Sequence, residues 1–186
     1  AVTRLLDLHP SANVDIQTLH HDDILRSLIE RDCDLAIGYD EPSHPRLEST
    51  KIGVGELVAL YRKDTFANDA ERISLSALQD VNFITLANSG PVGNLFSSEM
   101  LGRKLDLKER ISVRTFYVAA GLVRAGAGVA VVDEYTARAT LTPDIDFRPL
   151  DPPISFNVHC IYLVDRPLSP VAKTFVREFS RILESR

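Results

Sequence analysis

Hydrophobic positions along the chain change repeatedly from the spacing of a helix to the unbroken runs of a buried strand. Helical spacing marks residues 24–29 and 171–183, whereas short apolar runs occupy residues 34–38, 83–86 and 129–132. Helices that alternate with buried strands are typical of an α/β fold. The pattern therefore predicts an α/β fold with a largely parallel sheet.

Helix breakers and caps predict where several elements begin and end. Pro91 stands in the first turn of one helix, and Gly126 closes another that covers residues 116–125. Ser169 caps a final helix that begins at Pro170. The remaining predictions are a first helix that ends at His9-Pro10, a short helix at residues 134–139, and strands at residues 14–19, 56–62, 111–115 and 157–164.

The predicted elements form two similar α/β sets joined by two extended crossings, without an internal repeat. The last strand and helix complete a first set that otherwise has too few elements. We therefore predict two Rossmann-like lobes with a ligand cleft between them. Residues 1–61 plus 147–186 form lobe I, and residues 62–146 form lobe II.

Composition narrows the class of protein. The chain has 186 residues, 45% of them hydrophobic, and a formal net charge of −5. This apolar content excludes strong intrinsic disorder. The excess of acidic over basic residues argues against a surface that binds the phosphate backbone of a nucleic acid. No stretch of the chain comes near to the roughly 20 consecutive apolar residues that a membrane-spanning helix needs. Residues 1–6 lack the features of a signal peptide. A cytoplasmic location is expected.

Cys33 and Cys160 are the two cysteines, and they do not form a C-x-x-C pair. Both lie beside or within apolar, strand-like segments. We expect buried, inert thiols in a reducing compartment, with a disulfide as the alternative.

Motifs of common enzyme classes are absent, among them G-x-S-x-G, H-E-x-x-H and the phosphate-binding loop G-x-x-x-x-G-K-[ST]. Residues 20–23, His-His-Asp-Asp, come nearest to a metal cluster, but adjacent side chains rarely converge on one ion. Asp22 and Asp23 instead stand where a helix N-terminus favours negative charge. We expect no enzymatic activity, no metal site and no cofactor.

Polar residues at the ends of predicted strands are the strongest candidates for a binding site. The turn Asn88-Ser89-Gly90 leaves a buried strand and enters a helix, so its free backbone N–H groups attract a carboxylate or phosphate. Helix capping and tight-turn formation are the alternative roles. The same kind of position is held in the next units by Thr115, Phe116 and Asp133.

In this order and spacing, the segments resemble the effector-binding domain of LysR-type transcriptional regulators. The resemblance covers nearly the whole chain, and two runs carry most of it: Asp-Leu-Ala-Ile-Gly at residues 34–38 and Leu-Val-Arg-Ala-Gly-Ala-Gly-Val at residues 122–129. It implies the type 2 periplasmic-binding-protein fold, which has two lobes and a small-molecule cleft. The family's DNA-binding winged helix-turn-helix and the domain's usual first strand are not in this sequence.

The family's pocket, carried over position by position, implies nine ligand-binding residues. Tyr39 and Asp40 follow a strand of the first lobe. The second lobe contributes Asn88, Ser89, Gly90, Gly93, Thr115, Phe116 and Asp133.

The resemblance implies a ligand-sensing domain that binds a small carboxylate or an amino-acid-like inducer. Donors at residues 88–90 suit a carboxylate, whereas Asp40 and Asp133 suit an ammonium or guanidinium group, as in the family branch that senses amino acids and opines. An aromatic carboxylate or a sugar acid is the alternative effector. The alternative functions are a periplasmic solute-binding protein of a transporter and, third, an enzyme on the same scaffold.

The expected partners also follow from the resemblance. It implies a homodimer or homotetramer in which the first helix, with Val2, Leu5 and Leu6 on one face, lies antiparallel to residues 92–105 of a second copy. DNA contact is expected only through the missing N-terminal domain, and no membrane partner is expected.

Overall fold

The structure is a computed structural model that describes residues 1–66, 70–86 and 90–184. The chain divides into two compact units: Ala1–Val54 with Asn157–Arg186 form unit 1, and Gly55–Phe156 form unit 2. Strands β2 (Leu47–Arg62) and β8 (Ser155–Leu163) belong partly to each unit. The lobe boundaries predicted from the sequence, after residues 61 and 146, stay a prediction.

Unit 1 is built on a short antiparallel strand pair. Strand β1 pairs with β8, and Ile37 lies opposite Cys160. Leu28 is fully buried there in a small core with Leu47, Ile161 and Leu163. The other elements of this unit are α1 (Val2–Leu8), α2 (His21–Glu30), β1 (Ala36–Gly38) and α6 (Pro170–Glu184).

The helices of unit 1 confirm the predictions from caps and breakers. Helix α2 carries Asp22 and Asp23 in its first turn, where the helix dipole favours them. Helix α6 begins at Pro170, and Ser169 Oγ accepts the backbone N–H of Ala172 at 3.1 Å. Helix α1 ends at Leu8 and packs against α6.

The predicted strand at residues 14–19 is wrong. This segment is neither helix nor strand, and Ile16 is 70% exposed. A strand needs a neighbour that pairs with its backbone N–H and C=O groups, and no strand in the described ranges pairs with this segment. The succession of a strand at residues 14–19, a helix and a strand at residues 34–38, which the sequence pattern predicts, therefore does not form within the described residues.

Unit 2 contains a mixed sheet. Strand β4 (Asn82–Leu86) lies between β5 (Lys108–Val113) and β6 (Val129–Asp133) and is parallel to both. Strand β2 is antiparallel to β6 and to β7 (Ile145–Asp151). The prediction of a largely parallel sheet is thus correct only for part of this unit. Its elements after β2 are β3 (Ile73–Ser74), a 3-10 helix (Leu75–Asp80), β4 (Asn82–Leu86), α3 (Pro91–Gly102), β5 (Lys108–Val113), α4 (Phe116–Arg124), β6 (Val129–Asp133), α5 (Glu134–Thr140) and β7 (Ile145–Asp151).

Alternation along the strands of unit 2 gives the sheet two buried faces. Ile84 belongs to a core that contains Val123 of α4 and Ala137 of α5. Phe83, the preceding residue, points the other way and stacks on Phe96 of α3 with 5.7 Å between the ring centroids. Helix α3 therefore covers one face of the sheet, and α4 and α5 cover the other.

The two cysteines are free thiols. Cys160 is buried, as predicted, and burial raises the pKa of its thiol to about 11. Cys33 is half-buried rather than buried, and its Sγ accepts the hydroxyl of Ser27 at 3.6 Å.

Candidate functional site

The carboxyl ends of three parallel strands lie at one edge of the unit 2 sheet. The register sets Leu86 of β4 opposite Val113 of β5, and Ile84 opposite Ala130 of β6. The chain therefore leaves all three strands at the same edge and enters α3, α4 and α5 there. Because β5 and β6 lie on opposite sides of β4, the strand order reverses at this edge, which is where α/β sheets bind ligands.

Each of the three helices begins with a different residue type. Gly90 precedes α3 with φ of 80°, a left-handed conformation that favours glycine. Thr115 caps α4, and its Oγ1 accepts the N–H of Val118 at 3.3 Å. Asp133 caps α5. The positive ends of the three helix dipoles thus lie at the carboxyl edge of the sheet.

Asp133 is held inside unit 2. Its side chain is 0% exposed, its Oδ1 accepts the backbone N–H of Thr136 at 2.8 Å, and its Oδ2 accepts the Thr136 hydroxyl at 2.7 Å. Desolvation by burial raises the pKa of Asp133 above its ordinary value, although the hydrogen bonds from Thr136 oppose this shift. The structure thus places this carboxyl as a cap of α5, without surface open to solvent.

The raised pKa of Asp133 predicts a specific pH dependence. A carboxyl whose folded pKa exceeds its unfolded pKa binds its proton more tightly when folded, so its contribution to the free energy of unfolding falls as pH rises from about 4 through the folded pKa. Asp133→Asn removes this contribution. The stability of the wild type relative to the variant is therefore expected to fall over that range in urea unfolding measured at a series of pH values.

An exposed carboxyl supplies the control for this pH series. Asp32 is exposed, and Asp32→Asn, measured in the same pH series, is the matched control for the exchange of an aspartate for an asparagine. Parallel stability curves for the wild type and Asp133→Asn would contradict the prediction.

The structure brings several of the predicted residues to the carboxyl edge of unit 2. Gly90, Thr115 and Asp133 each directly precede a helix there. Gly93 and Phe116 lie one turn or less inside α3 and α4. Asn88 and Ser89 lie outside the described residues.

The two predicted residues of unit 1 follow β1. Tyr39 is half-buried. Asp40 is exposed, and its Oδ1 accepts the backbone N–H of the next residue, Glu41, at 2.8 Å. Asp40 thus presents a carboxylate to solvent, unlike Asp133.

Reasoning from the sequence missed a cavity in unit 2. The cavity has a volume of about 220 Å³ and lies between α3 and the sheet. Gly93 and Phe116, both predicted as ligand-binding residues, line part of it. Thr85 also lines it, and its Oγ1 is buried without a hydrogen-bond partner among the described residues. One feature of the sequence indicates this cavity: a polar residue, Thr85, lies within the otherwise apolar run at residues 83–86.

Two other features, a metal site and a membrane-spanning helix, are not found among the described residues. In residues 1–66, 70–86 and 90–184, no three His, Cys, Asp or Glu side chains are grouped so that they could hold a metal ion. Within the same ranges, no helix has the length and apolar character needed to cross a membrane.

Known sequences provide the first comparison. The profile of the family described as LysR substrate binding domain matches residues 1–183. The HTH-type transcriptional regulator DgcR of a Pseudoalteromonas species is 34% identical over 183 residues, which cover 98% of this chain and 63% of that protein. The HTH-type transcriptional regulator AdmX of Serratia plymuthica is 23% identical over 157 residues, 84% of this chain and 48% of that protein. The chain thus spans less than two thirds of either relative.

Solved structures provide the second comparison. The regulatory domain of CcmR from Synechocystis PCC6803, in complex with 2-PG, matches with a TM-score of 0.83 at 18% identity, over 99% of this chain and 91% of that one. HinK, a LysR family transcriptional regulator from Pseudomonas aeruginosa, matches with a TM-score of 0.82 at 18% identity, over 98% of this chain and 64% of that one. These likenesses confirm the predicted fold.

Proposed function

Since the chain belongs to the LysR substrate-binding domain family, we propose that it binds a small carboxylate or amino-acid-like inducer within a longer LysR-type regulator. Binding of the inducer would control DNA binding by a winged helix-turn-helix outside this sequence, in the cytoplasm. Both sequence relatives are named as transcriptional regulators, which favours this function over a transporter's solute-binding protein and over an enzyme.

One observation carries the choice of a carboxylate: α3 and α4 both begin at the carboxyl edge of the unit 2 sheet. Each helix N-terminus has unpaired N–H groups and roughly half a positive charge, which together attract an anion. No buried lysine or arginine is needed to hold a carboxylate there. Gly90 and Thr115 stand at these helix starts, and Asn88 and Ser89 precede one of them, so all four are proposed ligand-binding residues.

An acidic side chain is the proposed partner for the cationic group of an amino-acid-like inducer. Asp40, together with Tyr39, is the proposed contribution of unit 1, because the Asp40 carboxylate is exposed. Asp133 is proposed to act indirectly, since its buried carboxylate holds the start of α5.

Calorimetry on the purified chain tests the ligand class. Basic amino acids and opines are titrated beside simple carboxylates, an aromatic carboxylate and a sugar acid. An opine or basic amino acid is expected to bind most tightly, and Asp40→Asn is expected to weaken it by about tenfold or more, as loss of a charged hydrogen bond does.

A neighbouring carboxylate is the matched control for this titration. Glu41 is exposed next to Asp40, and Glu41→Gln is expected to leave the affinity unchanged. If Asp40→Asn changes the affinity by less than about twofold, Asp40 does not bind the cationic group. If only simple carboxylates bind, the amino-acid-like class is wrong.

We further propose that two copies of the chain associate through α1 and α3. Leu5, predicted to take part in this contact, is instead buried within its own chain, whereas Leu6 and Leu8 are exposed on α1 and Leu101 is 81% exposed on α3. A two-fold contact would bury both apolar surfaces twice.

Light scattering tests the proposed contact. The wild-type chain is expected to be at least a dimer, and Leu101→Asp is expected to shift it towards a monomer. Tyr117→Asp, which changes an equally exposed side chain on α4, is expected to keep the wild-type mass. A monomeric wild type at high concentration would contradict the proposal.

A further inference from the structure

We propose that the cavity beneath α3 is a second ligand site, which binds an uncharged molecule with one ring and one hydrogen-bonding group. The cavity has a volume of about 220 Å³. An apolar protein cavity of about 150 Å³ binds benzene, whereas sites for drug-sized ligands occupy about 300–1,000 Å³. The volume therefore fits a single substituted ring.

The walls of the cavity favour a ring. The cavity is lined by Phe83 and Phe96, which stack on each other, and by the side chains of Met100 and Val131. Phe83, Met100 and Val131 are buried, so these groups belong to the interior of unit 2. A ring in this space gains the dispersion contacts that the lining atoms otherwise lack on one side.

Thr85 provides one polar anchor. Thr85 lines the cavity, and its Oγ1 is buried without a hydrogen-bond partner among the described residues. A buried hydroxyl without a partner destabilises the protein, and a ligand that supplies the partner removes that cost. A hydroxyl or amide group fits, because a threonine hydroxyl both donates and accepts.

The charged side chains at the cavity disfavour an anion. Asp106 and Glu109 are the charged side chains among its described lining residues, and both are exposed carboxylates. They repel a carboxylate ligand and leave a neutral molecule unaffected. The ligand class therefore differs from the carboxylate of the proposed function, and this site does not depend on that proposal.

The composition of the chain offers a direct probe of this site. Met100 is the one methionine of the sequence and lines the cavity. A chain labelled with carbon-13 at the methionine methyl group therefore reports cavity occupancy through a single NMR signal. Benzyl alcohol and benzamide are expected to shift this signal saturably, whereas benzoate at the same concentrations is expected to leave it unchanged.

Two matched variants separate binding at Thr85 from general changes in the protein. Thr85→Val replaces the cavity hydroxyl with a methyl group, and it is expected to weaken benzyl alcohol by about fivefold while it leaves toluene unchanged. Thr142 also has a buried hydroxyl without a partner among the described residues, but it does not line the cavity. Thr142→Val is therefore expected to bind both probes like the wild type.

Three results would overturn the proposal: no saturable shift of the Met100 signal with any neutral probe, a shift as large with benzoate, or equal effects of Thr85→Val and Thr142→Val. Failure of the amino-acid and carboxylate titrations would not change these readouts. Conversely, absence of a Met100 response would leave the proposed function untouched.

Discussion

Gly128→Ala is expected to lower the free energy of unfolding by about 3 kcal/mol or more, which corresponds to a melting temperature lower by about 6–12 °C. Gly128 has φ of 152°, and a Cβ atom there would collide with the carbonyl oxygen of Asn82 and lie 3.0 Å from its carbonyl carbon. The collision involves backbone on both sides, so no side-chain rotation relieves it. Urea unfolding and calorimetry of the purified variant measure the loss.

Two other glycines provide graded controls. Gly126 also has a positive φ, 81°, but the nearest heavy atom to an added Cβ is Arg62 Cδ at 3.6 Å, so Gly126→Ala is expected to cost only about 1–2 kcal/mol. Gly121 lies inside α4 with no heavy atom within 4 Å, and Gly121→Ala is expected to stabilise the helix by about 0.5–1 kcal/mol. If Gly128→Ala costs no more than Gly126→Ala, close approach to Asn82 is not what requires glycine.

Leu28→Ala is expected to be the most damaging truncation in unit 1. Leu28 is 0% exposed and packs with Leu47, Ile161 and Leu163 in the core of unit 1. Removal of a buried leucine costs about 2–5 kcal/mol, because a cavity adds to the lost hydrophobic transfer. Urea unfolding is expected to show a loss in this range.

Ile16 is the matched control for Leu28. Its side chain is largely exposed, so Ile16→Ala is expected to change the free energy of unfolding by less than about 0.5 kcal/mol. Equal losses for the two variants would contradict the assignment of Leu28 to the core of unit 1.

Much of the fold could be predicted because helix ends depend on nearby residues. Pro91 and Pro170 placed the starts of two helices correctly, and the predicted helix start at residue 116 is also correct. Strands were less predictable. Strand β2 begins at Leu47 rather than at residue 56, and β7 includes Pro149, which lies opposite Val58 of β2.

The candidate site likewise has some features that could be predicted from the sequence and others that could not. The ends of β4 and β6 could be placed from the sequence to within one residue, because each strand runs into a recognisable helix start, whereas β5 ends at Val113 rather than at residue 115. The burial of Asp133 could not be predicted from the sequence, because a polar residue at the end of a strand can equally well bind a ligand or cap a helix. Its bonds to Thr136 show that it caps α5, and its role towards a ligand stays a prediction.

The sequence by itself determined the fold class, most of the helix boundaries and, through its resemblance to a family, the kind of protein. Periodicity, caps and breakers act within a few residues, so they are visible in one dimension. Only the tertiary structure decided which strands pair, that residues 14–19 are not a strand, and that a cavity lies beneath α3. These features depend on residues far apart in the chain, as where the Glu56 N–H donates to Glu134 Oε1 at 3.1 Å and where Gly128 lies against Asn82. Pairing and packing of such distant residues minimise the free energy of the whole domain, which no local pattern encodes.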